Sequence, residues 1–165
     1  DDLIEVRLVA PGATPGIGTY TYENLAKARL RGVEASAARP LGAGFSLGLS
    51  YTYLDATSGS GQRLERRPRH AASARLDWTH GSWRAGIAAE HTADQLLPAT
   101  TANTPAQPVP DLTLWSAHAA CTVAEGLEAA FGVTNLTNVS LAEKSPLFTH
   151  AEAPRAWRVS LRWRW

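Results

Sequence analysis

Apolar and polar residues alternate along most of this chain. The alternation is cleanest near the C-terminal end, where Trp157, Val159, Leu161, Trp163 and Trp165 interleave with Arg158, Ser160, Arg162 and Arg164. Successive side chains of an extended strand point to opposite faces, so this segment predicts a strand with one apolar and one charged face. Phe45, Leu47, Leu49, Tyr51 and Tyr53 stand against Ser46, Gly48, Ser50 and Thr52 in the same way. Ala72, Ala74, Leu76 and Trp78 oppose Ser73, Arg75 and Asp77, and Trp83, Ala85, Ile87 and Ala89 oppose Arg84, Gly86 and Glu90. These two runs predict a hairpin turning at Thr79-His80-Gly81-Ser82. A further apolar face, Leu127, Ala129, Phe131 and Val133, follows a turn at Ala124-Glu125-Gly126.

Three segments are less regular. Leu3 to Val9 reads as a strand of mixed alternation, and Tyr20 to Arg39 as one long strand whose candidate bulge is Gly32. Asp111 to Val123 reads as a strand with Trp115, Ala117, Ala119 and Cys121 assigned to the apolar side. The expectation is an all-β antiparallel wall of about eight strands in one domain, 1–165.

The connections alternate in length. Short turns lie at Arg39 to Gly44, Thr79 to Ser82 and Ala124 to Gly126, while long loops lie at Ala10 to Gly18, Asp55 to Pro68, Ala93 to Pro110 and Val139 to Pro154, always at the opposite end. Outer-membrane barrels have short periplasmic turns and long external loops. Aromatic residues fall where such a barrel needs them at its two interfaces: Trp78, Trp83, Trp163 and Trp165 toward the short-turn end, Tyr51, Tyr53, Trp115 and Trp157 toward the other. A soluble sandwich would share the alternation, but it requires neither the loop asymmetry nor the aromatic rims nor an apolar terminal strand. A transmembrane β-barrel wall is the reading, with Leu47, Leu49, Leu76, Ile87, Phe131, Val159 and Leu161 expected to face lipid. Glu34, Arg75, Asp77, Arg84, Glu90, Arg158 and Arg162 are expected to form a polar ladder on the lumen side.

Composition narrows the function. Sixteen Lys and Arg against fifteen Asp and Glu give a net charge of +1, so no basic field exists to neutralise phosphates, and nucleic acid is excluded as a partner. No apolar run reaches the roughly 18 residues of a membrane helix. Met is absent throughout, position 1 included, so the chain reads as a processed or excised piece. The lone Cys121 behaves as a small wall residue.

Gly44-Phe45-Ser46-Leu47-Gly48 matches the Gly-x-Ser-x-Gly hydrolase pattern, but that nucleophile needs a sharp strand-to-helix turn and here the serine lies inside a strand. No enzyme is expected, and no cofactor. His70, His80, His91, His118 and His150 form no ligand spacing, and only His150, in the last long loop, is a candidate ligand-binding residue. A second candidate is Arg63, Arg66, Arg67 and Arg69, a basic run offset locally by Glu65 alone and suited to an anionic chelate or to lipopolysaccharide phosphates.

Several motifs in order complete the picture. Asn24 with Gly32-Val33-Glu34, Ser50-Tyr51-Thr52-Tyr53-Leu54-Asp55-Ala56, Arg67-Pro68-Arg69-His70, Gly132-Val133-Thr134-Asn135-Leu136-Thr137-Asn138 and Pro154-Arg155 resemble the C-terminal region of TonB-dependent receptors. Asn138 stands where that family usually has Asp, and Trp165 where it commonly ends in Phe. The resemblance implies the C-terminal portion of a 22-stranded barrel of the Gram-negative outer membrane. It also implies a plug, not included here, on which the periplasmic TonB complex pulls.

Active uptake of a scarce ligand, a ferric siderophore or similar chelate, is what the resemblance implies. Trp165, Trp163 and Leu161 are expected to serve barrel assembly, and outer-membrane lipid and lipopolysaccharide to be neighbours. The alternative is a small autonomous eight-stranded barrel with an adhesin or structural role, which must fill its interior with side chains.

Overall fold

A strand with two dissimilar faces satisfies its backbone only by pairing edge to edge, and this chain does so with each strand it forms. The computed structural model describes residues 3–11, 18–25, 28–97, 106–141 and 153–164. Eleven strands result: β1 (Leu3–Pro11), β2 (Gly18–Leu25), β3 (Ala28–Gly42), β4 (Phe45–Ser58), β5 (His70–His80), β6 (Trp83–Ala93), β7 (Gln95–Leu97), β8 (Gln107–Val109), β9 (Leu112–Ala124), β10 (Leu127–Thr134) and β11 (Ala156–Trp163). Seven of them make one antiparallel sheet in the order β11-β10-β9-β6-β5-β4-β3. The pairs β1-β2 and β7-β8 are separate two-stranded sheets. Trp165 and His150 lie outside the described residues, so the assembly and ligand-binding expectations for them have no structural counterpart here.

Pairing register decides which residues share a face, because directly opposed residues point the same way. One row runs Leu47, Leu76, Ile87, Ala117, Val133, Trp157 across six strands. The next runs Phe45, Trp78, Ala85, Ala119, Phe131, Val159. The seven apolar positions expected to face lipid therefore share a single face. Trp115, Ala117, Ala119 and Cys121 lie on it too, as their alternation required. The sheet is one layer with β3 and β11 as its edges, and that face is uncovered: Val159, Leu161 and Trp163 are 76%, 74% and 70% exposed. Among the described residues the buried apolar side chains are only Ala56, Leu64, Leu112, Val133 and Leu141. A soluble two-layer fold would bury far more, and an apolar patch of this extent marks a surface that meets lipid or protein.

From the Phe45–Trp78 pair to the Tyr53–His70 pair the chain climbs β4 for roughly 26 Å, or roughly 20 Å along the normal at the usual barrel tilt, near the apolar band of such walls. The short turns are tight. Gly44 has φ +84° and Gly126 φ +73°, and the Thr79 and Arg164 backbones pack so closely on them that neither site has room for a side chain.

Three local expectations change. The register runs unbroken through Gly32, and the irregularity falls instead between Pro40 and Gly42. Gly32 is small because the Tyr53 carbonyl lies 2.5 Å from where its Cβ would stand, which is close strand approach rather than a bulge. The segment read as one strand from Tyr20 to Arg39 forms β2 and β3, paired in different sheets. Finally, the loop after Ala93 is not wholly irregular, since Gln95–Leu97 and Gln107–Val109 pair as a short hairpin.

Candidate functional site

The candidate arginines lie at the long-loop end, where β4 and β6 run past the apolar rows. Beyond β4 the chain folds back on itself: Thr57 bridges Arg63, the Leu64 amide donates to the Ala56 carbonyl at 2.8 Å, and Leu64 and Ala56 are both buried. This places the arginines above the start of β7, and the Arg66 amide donates to the Leu96 carbonyl at 2.7 Å.

Asp94 is the knot between the two loops. Arg63 donates to its carboxylate at 2.8 Å and to its carbonyl at 2.6 Å, and Arg69 donates to its other carboxylate oxygen at 3.2 Å. Arg69 also reaches Asp55 at 3.2 Å. The Asp94 amide in turn donates to Asp111 at 3.3 Å. The Arg63 hydrogen bond, assisted by the charges of Arg63 and then Arg69, holds the Asp94 carboxyl below the ordinary carboxylate range against a smaller opposing penalty from desolvation.

A carboxyl depressed in the folded state stabilises it above the ordinary carboxylate pKa, and that contribution fades as pH falls through the folded value. Asp94→Asn is expected to loosen residues 63–69 and 94–97 together. The size is about 1 kcal/mol, discounted because the side chain is 39% exposed, and faster amide hydrogen exchange confined to these loops measures it.

The four arginines thus separate into two pairs. Arg63 and Arg69 are spent on Asp94 and Asp55, whereas Arg66 and Arg67 have no side-chain partner among the described residues. Arg66 is exposed and takes φ +58°, a left-handed conformation that costs a non-glycine residue about 1–2 kcal/mol and turns its side chain out of the loop.

A second construction holds the last long loop. Asn135, buried with φ +49°, donates from Nδ2 to the carbonyls of Val139 (2.8 Å) and Ala153 (2.9 Å), and its Oδ1 accepts from the Val139 amide at 2.8 Å. One side chain therefore ties both ends of that loop to the end of β10. Asn138 accepts from the Arg155 amide at 3.0 Å, and the Leu136 amide donates to the Trp115 carbonyl on β9 at 2.8 Å.

The residues named for a polar ladder share one face of the sheet. Glu34, Arg75, Asp77, Arg84, Glu90, Arg158 and Arg162 share the parity opposite the apolar rows. Arg75 Nε donates to Asp77 at 2.6 Å, and Arg84 pairs with Glu128 across β9. His118 stands 3.8 Å from Asp77, in the space above Gly86 where a side chain would collide with its ring. Glu128, His118 and Asn135 were not singled out from sequence as ladder or anchor residues. Their parity against Ala117, Ala119 and Leu127 was the available signal for the first two. Ser46 of the Gly-x-Ser-x-Gly run is paired inside β4 with Asp77 opposite it, not raised on a turn.

The family described as TonB dependent receptor-like, beta-barrel matches residues 1–136. Among solved structures, the chain is similar to the copper transporter OprC, at 19% identity and TM-score 0.76, over 99% of this chain and 26% of that one. It is similar to the ferric enterobactin receptor of Pseudomonas aeruginosa, at 19% identity and TM-score 0.71, over 98% and 27%. The ferripyoverdine receptor of the Pseudomonas aeruginosa outer membrane matches at 18% identity and TM-score 0.69, over 96% and 23%. At these identities the likeness is one of fold, and the chain spans about a quarter of the length of each. No curated protein matches it in sequence.

Proposed function

Because this chain belongs to the TonB-dependent receptor family as part of its β-barrel, we propose that it forms wall and external loops of a receptor for TonB-driven uptake of an anionic ferric siderophore across the Gram-negative outer membrane. In this reading the apolar face meets lipid and the polar face lines the lumen, with the long-loop end outside. The plug and the TonB contact belong to other parts of the protein. The step performed by these residues is capture, with no bond made or broken.

One observation carries the ligand class. A two-loop block holds Arg63 and Arg69 on Asp94 and Asp55 and leaves Arg66, exposed, and Arg67, half-buried, without a carboxylate partner among the described residues. Guanidinium groups offer paired donors to catecholate or carboxylate oxygens in a partly desolvated mouth. Enterobactin and pyoverdine, bound in two of the similar structures, set the ligand type to test first.

The test uses the full-length protein in a host lacking its own siderophore receptors, supplied with radiolabelled iron as catecholate or hydroxamate chelates. Uptake that stops when TonB is removed supports the reading. Absence of uptake for each ferric chelate, or uptake indifferent to TonB, refutes it. Arg66→Gln with Arg67→Gln is expected to weaken chelate binding about tenfold without disturbing barrel yield.

A further inference from the structure

Arg69 stands between two carboxylates at the head of the sheet's interior strands. Its backbone continues the ladder one step past His70 on both sides: the Leu54 amide of β4 donates to the Arg69 carbonyl at 2.9 Å, and the Arg69 amide donates to the Asp94 carbonyl at 3.2 Å. β4, β5 and β6 each have a paired strand on either side, so this arrangement does not depend on an edge of the sheet. The Arg69 guanidinium reaches Asp55 and Asp94 at 3.2 Å each, and Arg63 takes the other Asp94 carboxylate oxygen at 2.8 Å. Two guanidiniums therefore converge on the two oxygens of one partly exposed carboxylate.

The clamp holds its occupant imperfectly. Charge-assisted bonds between a guanidinium and a carboxylate run about 2.7–2.9 Å, and both Arg69 bonds are longer. Arg69 Nε is buried with no hydrogen-bond partner among the described residues, an unmet donor that a tie serving only to hold the loops would avoid. Asp94 also takes φ +53°, a left-handed conformation that aspartate tolerates but does not favour. A carboxylate not tethered to this backbone is free to meet both guanidiniums in the planes they prefer. Asp94 directly precedes β7, so whatever takes its place in the clamp frees the start of the β7–β8 hairpin.

We propose that Asp94 is an autoinhibitory latch: its carboxylate fills the Arg63–Arg69 clamp in the resting receptor, and a carboxylate of the incoming anionic chelate displaces it and frees the β7–β8 hairpin. This rests on the reading of the chain as a capture surface for an anionic ferric chelate, and adds the regulation of that surface. Arg66 and Arg67 meet the anion first, and the latch sets how tightly it is then held. A ligand that binds only a fraction of the molecules is weakened by that fraction, so a latch closed in about nine-tenths of them lowers apparent affinity about tenfold.

The experiment uses the full-length protein in mild detergent with ferric citrate, a chelate rich in carboxylates, as the probe, and reads binding by equilibrium dialysis of radioactive iron. Asp94→Asn keeps a residue tolerant of the left-handed conformation but removes the charge, and is expected to bind about tenfold tighter than wild type. Arg63→Gln added to Asp94→Asn is expected to lose that gain, with heat-modifiable mobility matching wild type to exclude misfolding as the cause. Asp111→Asn is the control for charge alone. It removes a carboxylate beside Asp94 while leaving the clamp filled, keeps the acceptor for the Asp94 amide, and is expected to change affinity less than about twofold. In wild type, added ferric citrate is expected to quicken amide hydrogen exchange at 94–97, where a ligand that merely packs on the loops would slow it. Asp94→Asn binding no tighter than wild type, an equal gain in Asp111→Asn, slowed exchange at 94–97, or no binding of ferric citrate by any variant overturns the latch, and TonB-dependent uptake of another ferric chelate then leaves the receptor standing. Absence of uptake for each chelate overturns both.

Discussion

Replacing Ile87 by Arg is expected to destabilise the protein folded into lipid bilayers by about 2–4 kcal/mol, whereas Ala88→Arg changes stability by about 1 kcal/mol or less. Ile87 lies midway along β6 between Trp83 and His91, on the row shared with Leu47 and Leu76, where a guanidinium would be carried toward the middle of the hydrocarbon. Ala88 is one residue away, opposite Arg75 and Ser116 on the polar face, where water and other charges are near. The pair keeps the strand, the substituted residue type and the depth almost constant and changes only the face. Denaturant titrations of the full-length protein refolded into vesicles measure the difference. Equal destabilisation by both variants would mean that the wall is not sided as described.

The second large effect is expected at Asn135. Asn135→Ala removes three hydrogen bonds at once and leaves the Val139 amide and the Val139 and Ala153 carbonyls without their partner. A backbone group left unsatisfied costs about 1–3 kcal/mol when buried, and because Val139 is half-buried and Ala153 exposed, water replaces part of what is lost and a total of about 1–3 kcal/mol follows. The substitution also puts a residue less tolerant of the left-handed conformation at φ +49°. Asn135→Asp is the sharper variant. It keeps the acceptor for the Val139 amide but turns an oxygen toward two carbonyls that need a donor, so it should lose nearly as much. Limited proteolysis of the full-length protein between 139 and 153, followed over time, is the readout. Cleavage rates matching wild type for both variants would remove Asn135 from its role as the tie between the loop ends.

Much of the wall could be read directly because its rule is local. Period-two alternation needs only neighbouring letters, so the facing of Phe45 to Tyr53, Trp83 to Ala89 and Leu127 to Val133 was legible, and β9 followed once Trp115 and Ala117 were assigned. What was not legible depends on partners far along the chain. Arg63, Arg66, Arg67 and Arg69 look alike within their seven-residue stretch, yet Asp94, 31 and 25 residues beyond Arg63 and Arg69, separates the structural pair from the free one. Gly32 was read as a bulge because a glycine inside a strand has two common explanations, and only the position of the Tyr53 carbonyl distinguishes them. Strands β7 and β8 are three residues each, too short for any periodicity to register, and are held by their pairing and by the Arg66–Leu96 backbone bond. The Asn135 motif was recognisable as a motif, but its hydrogen-bonding partners on either side of the loop were not.

One parity of these strands is expected to meet lipid and the other the barrel interior. Spin labels placed singly from Arg84 to Ala89 of the full-length protein in bilayers, with accessibility measured to oxygen and to a water-soluble nickel chelate, test it most directly. A period of two is expected, with oxygen accessibility high at Ala85, Ile87 and Ala89 and low at Arg84, Gly86 and Ala88. Accessibility without that period, or with the two sets exchanged, would contradict it.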